Sequence, residues 1–192
     1  MTKEFVFLDT ETTGLDPTEH EIVEIAVIRD NPLFIGRNEL MLHSKIKPER
    51  PKSMSKKARE INGYNASGWS DAPFMKDVAE LIYDYIYGKV IVGSNPKFDI
   101  SFLDAAFRKH IKNYRPMHRS NYFDIKMLAY EHLAPCGLEK FGQQDILEFL
   151  GMSTENSHRA LTDAVNSKRI FQKLSRATVF QRLYWRARNT WK

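Results

Sequence analysis

The chain has 192 residues, of which 42% are hydrophobic and 28% are charged, a composition typical of one globular domain. No apolar run is long enough to cross a bilayer, and the run at residues 5–8 is too short for a signal peptide, so we expect no membrane partner. The single cysteine cannot form an internal disulfide, which favours a reducing compartment: the cytoplasm, or the host cytoplasm if the chain is viral.

The basic residues are distributed unevenly along the chain. Although the net charge is only +5, residues 164–192 contain eight Lys or Arg and no Asp or Glu. A basic segment of this kind favours a polyanionic partner such as nucleic acid. Taken alone, each basic stretch is equally typical of a solvated surface.

Strand patterns dominate the first quarter of the chain. The continuous apolar run at residues 5–9 predicts a strand that is buried on both faces. Residues 21–30 are rich in β-branched side chains and predict a second strand, and residues 40–46 predict a third. The short connections favour an antiparallel start to the sheet.

Helical patterns follow, interrupted by short strands at residues 89–95 and 121–125. Apolar residues recur at one-turn spacing, which predicts helices over residues 74–87, 98–111, 138–150, 159–174 and 178–191. No internal repeat or linker interrupts them. The alternation of strands and helices predicts a single α/β domain spanning residues 1–192.

Two carboxylates lie at the end of the first predicted strand. Asp9 and Glu11 are two positions apart and therefore point to the same side. Their charges repel one another, and removing either from water is costly, whereas a divalent cation would relieve both problems. On its own, such a pair is also typical of a turn or a helix cap.

Two further acids lie on the inward faces of predicted helices. Asp99 shares the apolar stripe of Leu103, and Asp163 shares the stripe of Ile170. An acid on an inward face needs a partner. The start of a helix also favours an acid, because the helix dipole is positive there.

Three segments carry these acids, namely DTETTGL, NPKFDISFLD and HRALTDA. In this order they resemble the three motifs of the DEDD exonuclease superfamily, in its histidine-containing branch. The likeness is strongest to the proofreading 3′–5′ exonuclease subunits of bacterial DNA polymerase III, and it extends over residues 5–171. It implies a ribonuclease-H-like mixed β-sheet flanked by α-helices.

The resemblance also implies roles for individual residues. Asp9, Glu11, Asp99 and Asp163 would hold two divalent cations, Mg²⁺ or Mn²⁺, with Asp9 bridging the pair. Two such ions activate a water and stabilise the leaving oxygen in an in-line displacement. His158, which follows the polar segment 151–157, would be the general base and would close over substrate on a mobile loop.

Substrate contacts are implied by the same resemblance. The turn after the first strand would hold the 3′-terminal nucleotide through Thr12, Thr13, Gly14 and Leu15, with Leu15 beside the base. Asn95 would contact the substrate or a metal ligand, whereas Phe98 is expected to pack in the core. Many relatives have His-Gly where this chain has Asn62-Gly63, so contacts from that loop are not transferred.

The resemblance implies a metal-dependent 3′–5′ exonuclease that degrades single-stranded DNA to nucleoside 5′-monophosphates. An exoribonuclease is the alternative, since the same catalytic residues serve both and no contact to a 2′-hydroxyl can be located. A non-catalytic nucleic-acid-binding module would not need four inward-facing acids. A polymerase partner is not supported, because little sequence follows the exonuclease motifs.

The basic C-terminal segment, residues 176–192, is predicted to be amphipathic. We expect its apolar stripe to dock on the domain through Val179, Phe180, Leu183, Tyr184, Ala187 and Trp191. Arg182 and Arg186 would then face outward and contact the nucleic-acid backbone. The alternative is a docked helix whose basic face is merely solvated.

Overall fold

The computed structural model describes residues 4–30, 38–116, 121–154 and 158–189. Its centre is one five-stranded mixed sheet with the strand order β3-β2-β1-β4-β5. The strands are β1 (Phe5–Thr12), β2 (Ile22–Asp30), β3 (Asn38–Lys45), β4 (Val90–Gly93) and β5 (Tyr122–Asp124). This is the mixed sheet that the sequence predicted.

Strand pairing places the acidic end of β1 in the middle of the sheet. The first three strands are antiparallel, as their short connections predicted, while β4 pairs with β1 and β5 with β4 in parallel. In the β1–β2 register Glu11 lies opposite Glu24, and the register shifts between Glu11 and Thr12. The irregularity ends the strand next to the two carboxylates.

Seven helices are described around the sheet. They are α1 (Lys56–Asn62), α2 (Met75–Ile86), α3 (Pro96–His110), α4 (Ile125–Leu133), α5 (Gln143–Phe149), α6 (Ala160–Ser175) and α7 (Val179–Asn189). The patterns at α2, α3, α6 and α7 were recognised in the sequence, whereas α1 and α4 were missed. None of the helices in the described ranges is long and apolar enough to span a bilayer.

Helix α5 begins five residues later than predicted. The backbone N–H of Gly142 donates a 3.0 Å hydrogen bond to Oδ2 of Asp145, which caps the helix at that point. A 3₁₀ turn, Ala134–Cys136, and the left-handed Gly137 (φ 97°) precede it. The apolar residues at 138 and 141 therefore pack from a loop rather than from a helix.

Both faces of β1 are buried, which explains its continuous apolar run. Phe7 packs in the layer formed with α4, α5 and α6. Val6 and Leu8 pack on the opposite face, in the layer formed with α2 and α3. Burying one such side chain contributes about 1.5–3 kcal/mol, so the central strand is held firmly in register. A firm strand is a suitable platform for closely spaced acids.

The C-terminal helix docks through a different face from the one predicted. Among the α7 residues whose burial is described, Trp185 is buried, and α7 packs against α4 and the 3₁₀ turn before Gly137. The predicted stripe is exposed instead, at Val179, Phe180, Leu183, Tyr184 and Ala187, and Trp191 lies outside the described residues. The helix thus buries the Trp185 indole rather than the predicted stripe, which the apolar spacing alone did not reveal.

Candidate active site

Three carboxylates meet at the end of β1. Each of Asp9, Glu11 and Asp163 offers one oxygen that lies within 4.8 Å of the others. The first two come from β1, and Asp163 comes from the first turn of α6. Convergent carboxylate oxygens are the ligands that Mg²⁺ and Mn²⁺ prefer. The three residues therefore fit a divalent cation.

Burial and mutual repulsion make these acids unusually hard to ionise. Burial, followed by the charges of Asp163 and Glu24, raises the pKa of Glu11 to about 7. Burial and the charge of Asp99 raise the pKa of Asp9 well above its ordinary value. The pKa of Asp163 is also raised, chiefly by burial. A cation at this cluster would stabilise the charged carboxylates and displace protons from them.

Asp99 lies beside this cluster rather than among its three converging oxygens. It is buried in the first turn of α3, and its Oδ1 accepts hydrogen bonds from the N–H (2.9 Å) and the hydroxyl (2.7 Å) of Thr10. Burial raises the pKa of Asp99 to about 7, against the lowering effect of these hydrogen bonds. Thr10 was missed in the sequence, because only the packing of α3 on β1 identifies its partner.

His158 stands at the entrance to α6 and faces the acids. Its backbone is left-handed (φ 65°), and its N–H donates a 3.0 Å hydrogen bond to Oδ2 of Asp163. The histidine is exposed and lines a cavity of about 320 Å³ together with Asp9 and Asp163. Residues 155–157 of the predicted mobile loop lie outside the described residues.

Gln143, at the start of α5, is a further lining residue that the sequence did not reveal. Its Nε2 donates hydrogen bonds of 3.0 Å to the carbonyl oxygen of Asp163 and to the hydroxyl of Ser167. These bonds tie α5 to the first turns of α6. Gln143 therefore helps to hold Asp163 at the cavity.

The turn after β1 is held by its own threonines and by a close approach at Gly14. Thr12 donates a 2.6 Å hydrogen bond to the carbonyl of Gly14. Thr13 is fully buried. Its N–H donates a hydrogen bond to the carbonyl of Glu21, and its hydroxyl oxygen accepts one from the N–H of Glu21. A Cβ at Gly14 would lie 2.3 Å from the ring of His20, so any larger residue there would have to displace that ring. The side chain of Thr13 thus serves the turn rather than an open surface.

Leu15 projects from this turn into a second cavity of about 250 Å³. Its side chain is 84% exposed, and Phe98 and Ile61 line the same cavity. Phe98 was expected in the core; it does pack on Phe102, with ring centroids 4.9 Å apart, but it also faces this cavity. Lys57 of α1 is another lining residue, missed because α1 was not predicted.

Asn62 ties α1 to the end of β1. It is buried, and its Nδ2 donates a 3.0 Å hydrogen bond to the carbonyl of Thr12. Its Oδ1 accepts a 3.0 Å hydrogen bond from the N–H of Tyr64. The residue that departs from the family pattern therefore has a structural connection to the site.

Asn95 occupies a strained position before α3. Its backbone is left-handed (φ 65°), and its N–H lies 3.3 Å from Oδ1 of Asp124, with which it forms a hydrogen bond. The asparagine is exposed, whereas the preceding Ser94 lines the cavity shared with His158. The loop before α3 therefore reaches the site at Ser94, and not at Asn95.

Known proteins resemble the chain over most of its length. An exonuclease family model, RNase_T, matches residues 6–171. DNA polymerase III subunit epsilon of Buchnera aphidicola is 30% identical over 182 residues, which cover 90% of this chain and 73% of that protein. DNA polymerase III PolC-type of Thermotoga maritima is 31% identical over 169 residues, or 87% of this chain. The chain spans only 11% of that PolC-type protein.

Solved structures of E. coli exonuclease I share the fold. One superposes with a TM-score of 0.75 at 21% identity, covering 95% of this chain and 43% of that one. Another, in complex with a dT13 oligonucleotide, gives a TM-score of 0.73 at 22% identity. The ribonuclease-H-like fold predicted from the sequence is therefore confirmed. By the family match, the chain belongs to the exonuclease family within the DEDD superfamily.

Proposed function

We propose that residues 1–192 act as one domain that removes nucleotides from the 3′ end of single-stranded DNA, releasing nucleoside 5′-monophosphates in the cytoplasm. The observation that carries this proposal is the convergence of Asp9, Glu11 and Asp163 within 4.8 Å, beside a cavity that could admit a nucleotide. An acid cluster of this kind gains its charge most readily with cations bound.

The acids would hold two divalent cations, Mg²⁺ or Mn²⁺. Asp9 would bridge the pair, Glu11 and Asp163 would complete one site, and Asp99 would support the other. When bound, such a pair supplies an activated water and stabilises the leaving 3′ oxygen. Thr10 would keep the Asp99 carboxylate oriented through its two hydrogen bonds.

His158 would act as the general base. It borders the cavity that also contains Asp9 and Asp163. Its position next to Asp163 would let it accept a proton from the attacking water. The reaction would then leave the phosphate on the released nucleotide and a free 3′-hydroxyl on the shortened strand.

The second cavity would hold the terminal nucleotide. Leu15 and Phe98 offer apolar surfaces on which a base can pack, and such packing tolerates every base. Thr12 and Gly14 of the turn line the same cavity. Lys57 stands at its edge, where an ammonium group would attract phosphate.

Single-stranded DNA is the proposed partner, and no polymerase partner is part of the proposal. The relatives are named as DNA polymerase III proteins, and an exonuclease I structure contains a DNA oligonucleotide. Arg182 and Arg186 are exposed on the docked α7 and would contact the nucleic-acid backbone. Their contribution adds to binding rather than to chemistry.

Matched oligonucleotides test this proposal. DNA and RNA strands of one sequence, single- and double-stranded and labelled at the 5′ end, are digested with and without Mg²⁺. We expect the single-stranded DNA to be shortened fastest, and only with the cation. Faster shortening of RNA would replace the proposal with an exoribonuclease. Binding of all four substrates without any shortening would indicate a non-catalytic module.

A further inference from the structure

A fifth acid lies behind the catalytic cluster. Glu24 on β2 is fully buried and lies opposite Glu11 in the strand register. It is not one of the three residues whose carboxylate oxygens converge. A buried carboxylate is costly unless it is paired, so its partners indicate what it is for.

Glu24 joins the third strand to the entrance of α6. Its Oε1 lies 2.8 Å from Nε2 of His43 on β3, and its Oε2 lies 3.4 Å from Nε of Arg159. Among the described residues, no donor completes a hydrogen bond to that Oε2, so the ion pair with Arg159 balances it. The Arg159 side chain is 47% exposed, and its anchor is 0% exposed.

Arg159 directly follows His158 in the chain. Its carbonyl oxygen accepts a 3.0 Å hydrogen bond from the N–H of Asp163, which opens the first turn of α6. Movement of the Arg159 backbone would therefore displace both the proposed base and a proposed metal ligand.

The left-handed backbone of His158 needs such an anchor. A non-glycine residue in this conformation is strained and persists only where its surroundings hold it. One hold is the hydrogen bond from its N–H to Oδ2 of Asp163. That oxygen belongs to a proposed metal ligand, so a bound cation would compete for it. The ion pair between Arg159 and Glu24 does not depend on that oxygen.

We propose that Arg159 is a positioning residue, which is anchored on the buried Glu24 and holds His158 over the acid cluster. The inference rests on the proposed role of His158 as general base. Arg159 would thus govern the rate of the chemical step while leaving substrate binding unchanged. The guanidinium suits this task because it remains charged and directional at an interface where Glu24 is buried.

The test compares single and double variants on 5′-labelled single-stranded DNA. Arg159→Gln is expected to lower kcat by about 10–100-fold, as outer-shell changes do, with KM and calorimetric Mn²⁺ affinity within about twofold. Arg159→Lys should recover part of the rate. Arg108→Gln, which removes an exposed ion pair with Asp104 on α3, is the matched control and should keep the full kcat.

A His158→Ala background separates positioning from general damage. If Arg159 acts through His158, adding Arg159→Gln to His158→Ala should not lower kcat further. A further drop by the same factor would overturn the proposal, as would an unchanged kcat in Arg159→Gln alone. Loss of Mn²⁺ affinity, with the rate restored at high Mn²⁺, would also overturn it, because Arg159 would then support the metal site.

Two outcomes keep this inference distinct from the proposed function. An unaffected rate in His158→Ala would overturn the general-base role itself, whatever Arg159→Gln does. Glu24→Gln tests the anchor, and it should lower kcat as much as Arg159→Gln does, with the double variant no slower than either single one. If the losses of kcat from Glu24→Gln and Arg159→Gln multiply in the double variant, the two residues act independently and the pairing is overturned. If Glu24→Gln fails to fold, the Arg159 and His158 variants decide the question.

Discussion

The backbone N–H of His158 donates a 3.0 Å hydrogen bond to Oδ2 of Asp163. The proposed general base and a proposed metal ligand are therefore joined directly, across the start of α6. Protonation of the Asp163 carboxylate, or binding of a cation to it, would therefore act directly on the position of His158. Variants that change a side chain but keep this backbone hydrogen bond should therefore separate effects on the catalytic rate from effects on metal binding.

Removing a cluster carboxylate should abolish activity without unfolding the protein. Asp9→Asn removes a proposed metal ligand, so we expect at least a 10²-fold loss of rate. It also removes one charge from a group of mutually repelling acids, so the fold should not be destabilised. In chelator the melting temperature should be equal or higher, as measured by calorimetry. Asp104→Asn, an acid outside the cluster, is the control and should retain activity. Full activity of Asp9→Asn would rule out the cluster as the metal site.

The metal-free protein should lose stability as the pH rises through the cluster's titration range. The pKa of Glu11 is about 7 in the folded protein, against an ordinary value of 4.5. Between these values the folded state binds more protons than the unfolded state, so its stability falls with increasing pH. In EDTA, we expect the melting temperature to fall by a few degrees from pH 5 to pH 8.

Two comparisons check the source of this pH dependence. Saturating Mg²⁺ should reduce the fall, because the cation favours the charged carboxylates. Glu11→Gln should flatten the metal-free profile, since the side chain can no longer titrate. A melting temperature that rises with pH in EDTA would contradict the raised pKa of the cluster.

His158 should affect the rate more than metal binding. His158→Ala is expected to reduce kcat by about 10²–10⁴-fold, the usual contribution of a general base. Titration calorimetry should show near-normal Mn²⁺ affinity. If the variant instead loses Mn²⁺ affinity and regains its rate at high metal concentration, His158 is a ligand and not a base.

Leu15 should contribute to holding the terminal nucleotide. It is 84% exposed, so Leu15→Ala should leave the melting temperature unchanged. Covering a leucine side chain is worth about 1.5–3 kcal/mol, so we expect KM for a short DNA strand to rise by about 10–150-fold when that contact with the base is lost. Met127→Ala removes another exposed apolar side chain and should have no effect. Equal KM values for the two variants would exclude Leu15 from the nucleotide site.

The arginines of α7 should contribute to binding through phosphates. Removing one arginine–phosphate interaction flattens the log–log salt dependence of single-strand binding by about 0.7. Arg182→Gln combined with Arg186→Gln should therefore flatten it by about 1.4 if both bind phosphates. Turnover of a two-nucleotide substrate, too short to reach α7, should not change. An unchanged slope on a long strand would leave α7 with a structural role.

Local apolar patterns correctly predicted the elements that bury the faces indicated by their apolar spacing. The apolar run of β1 is buried on both faces, and the stripes of α2, α3 and α6 pack as their spacing indicates. The predicted docked face of the C-terminal helix was wrong, because the helix buries the indole of Trp185 and leaves the smaller side chains of the predicted stripe exposed. The predicted start of α5 was also wrong, because the cap at Gly142 sets where the helix begins.

The acids were visible in the sequence, but their supporting residues were not. Strand spacing placed Asp9 with Glu11, and the motif resemblance added Asp163, which the structure brings to the same cluster. Thr10 and Gln143 act through partners from other elements, so only tertiary packing identifies them. In the sequence, Glu24 is only one residue of a predicted strand. Its partner Arg159 lies 135 positions away, so the sequence does not reveal the pair.

The most direct measurement follows a 5′-labelled single-stranded DNA beside a closed circular strand of the same sequence. With Mg²⁺, the account predicts a ladder of products shortened one nucleotide at a time from the 3′ end, with the circle intact. In EDTA, or with Asp163→Asn, no ladder should form. Cutting of the circle at a comparable rate, or a ladder that persists in EDTA, would contradict a metal-dependent 3′–5′ exonuclease.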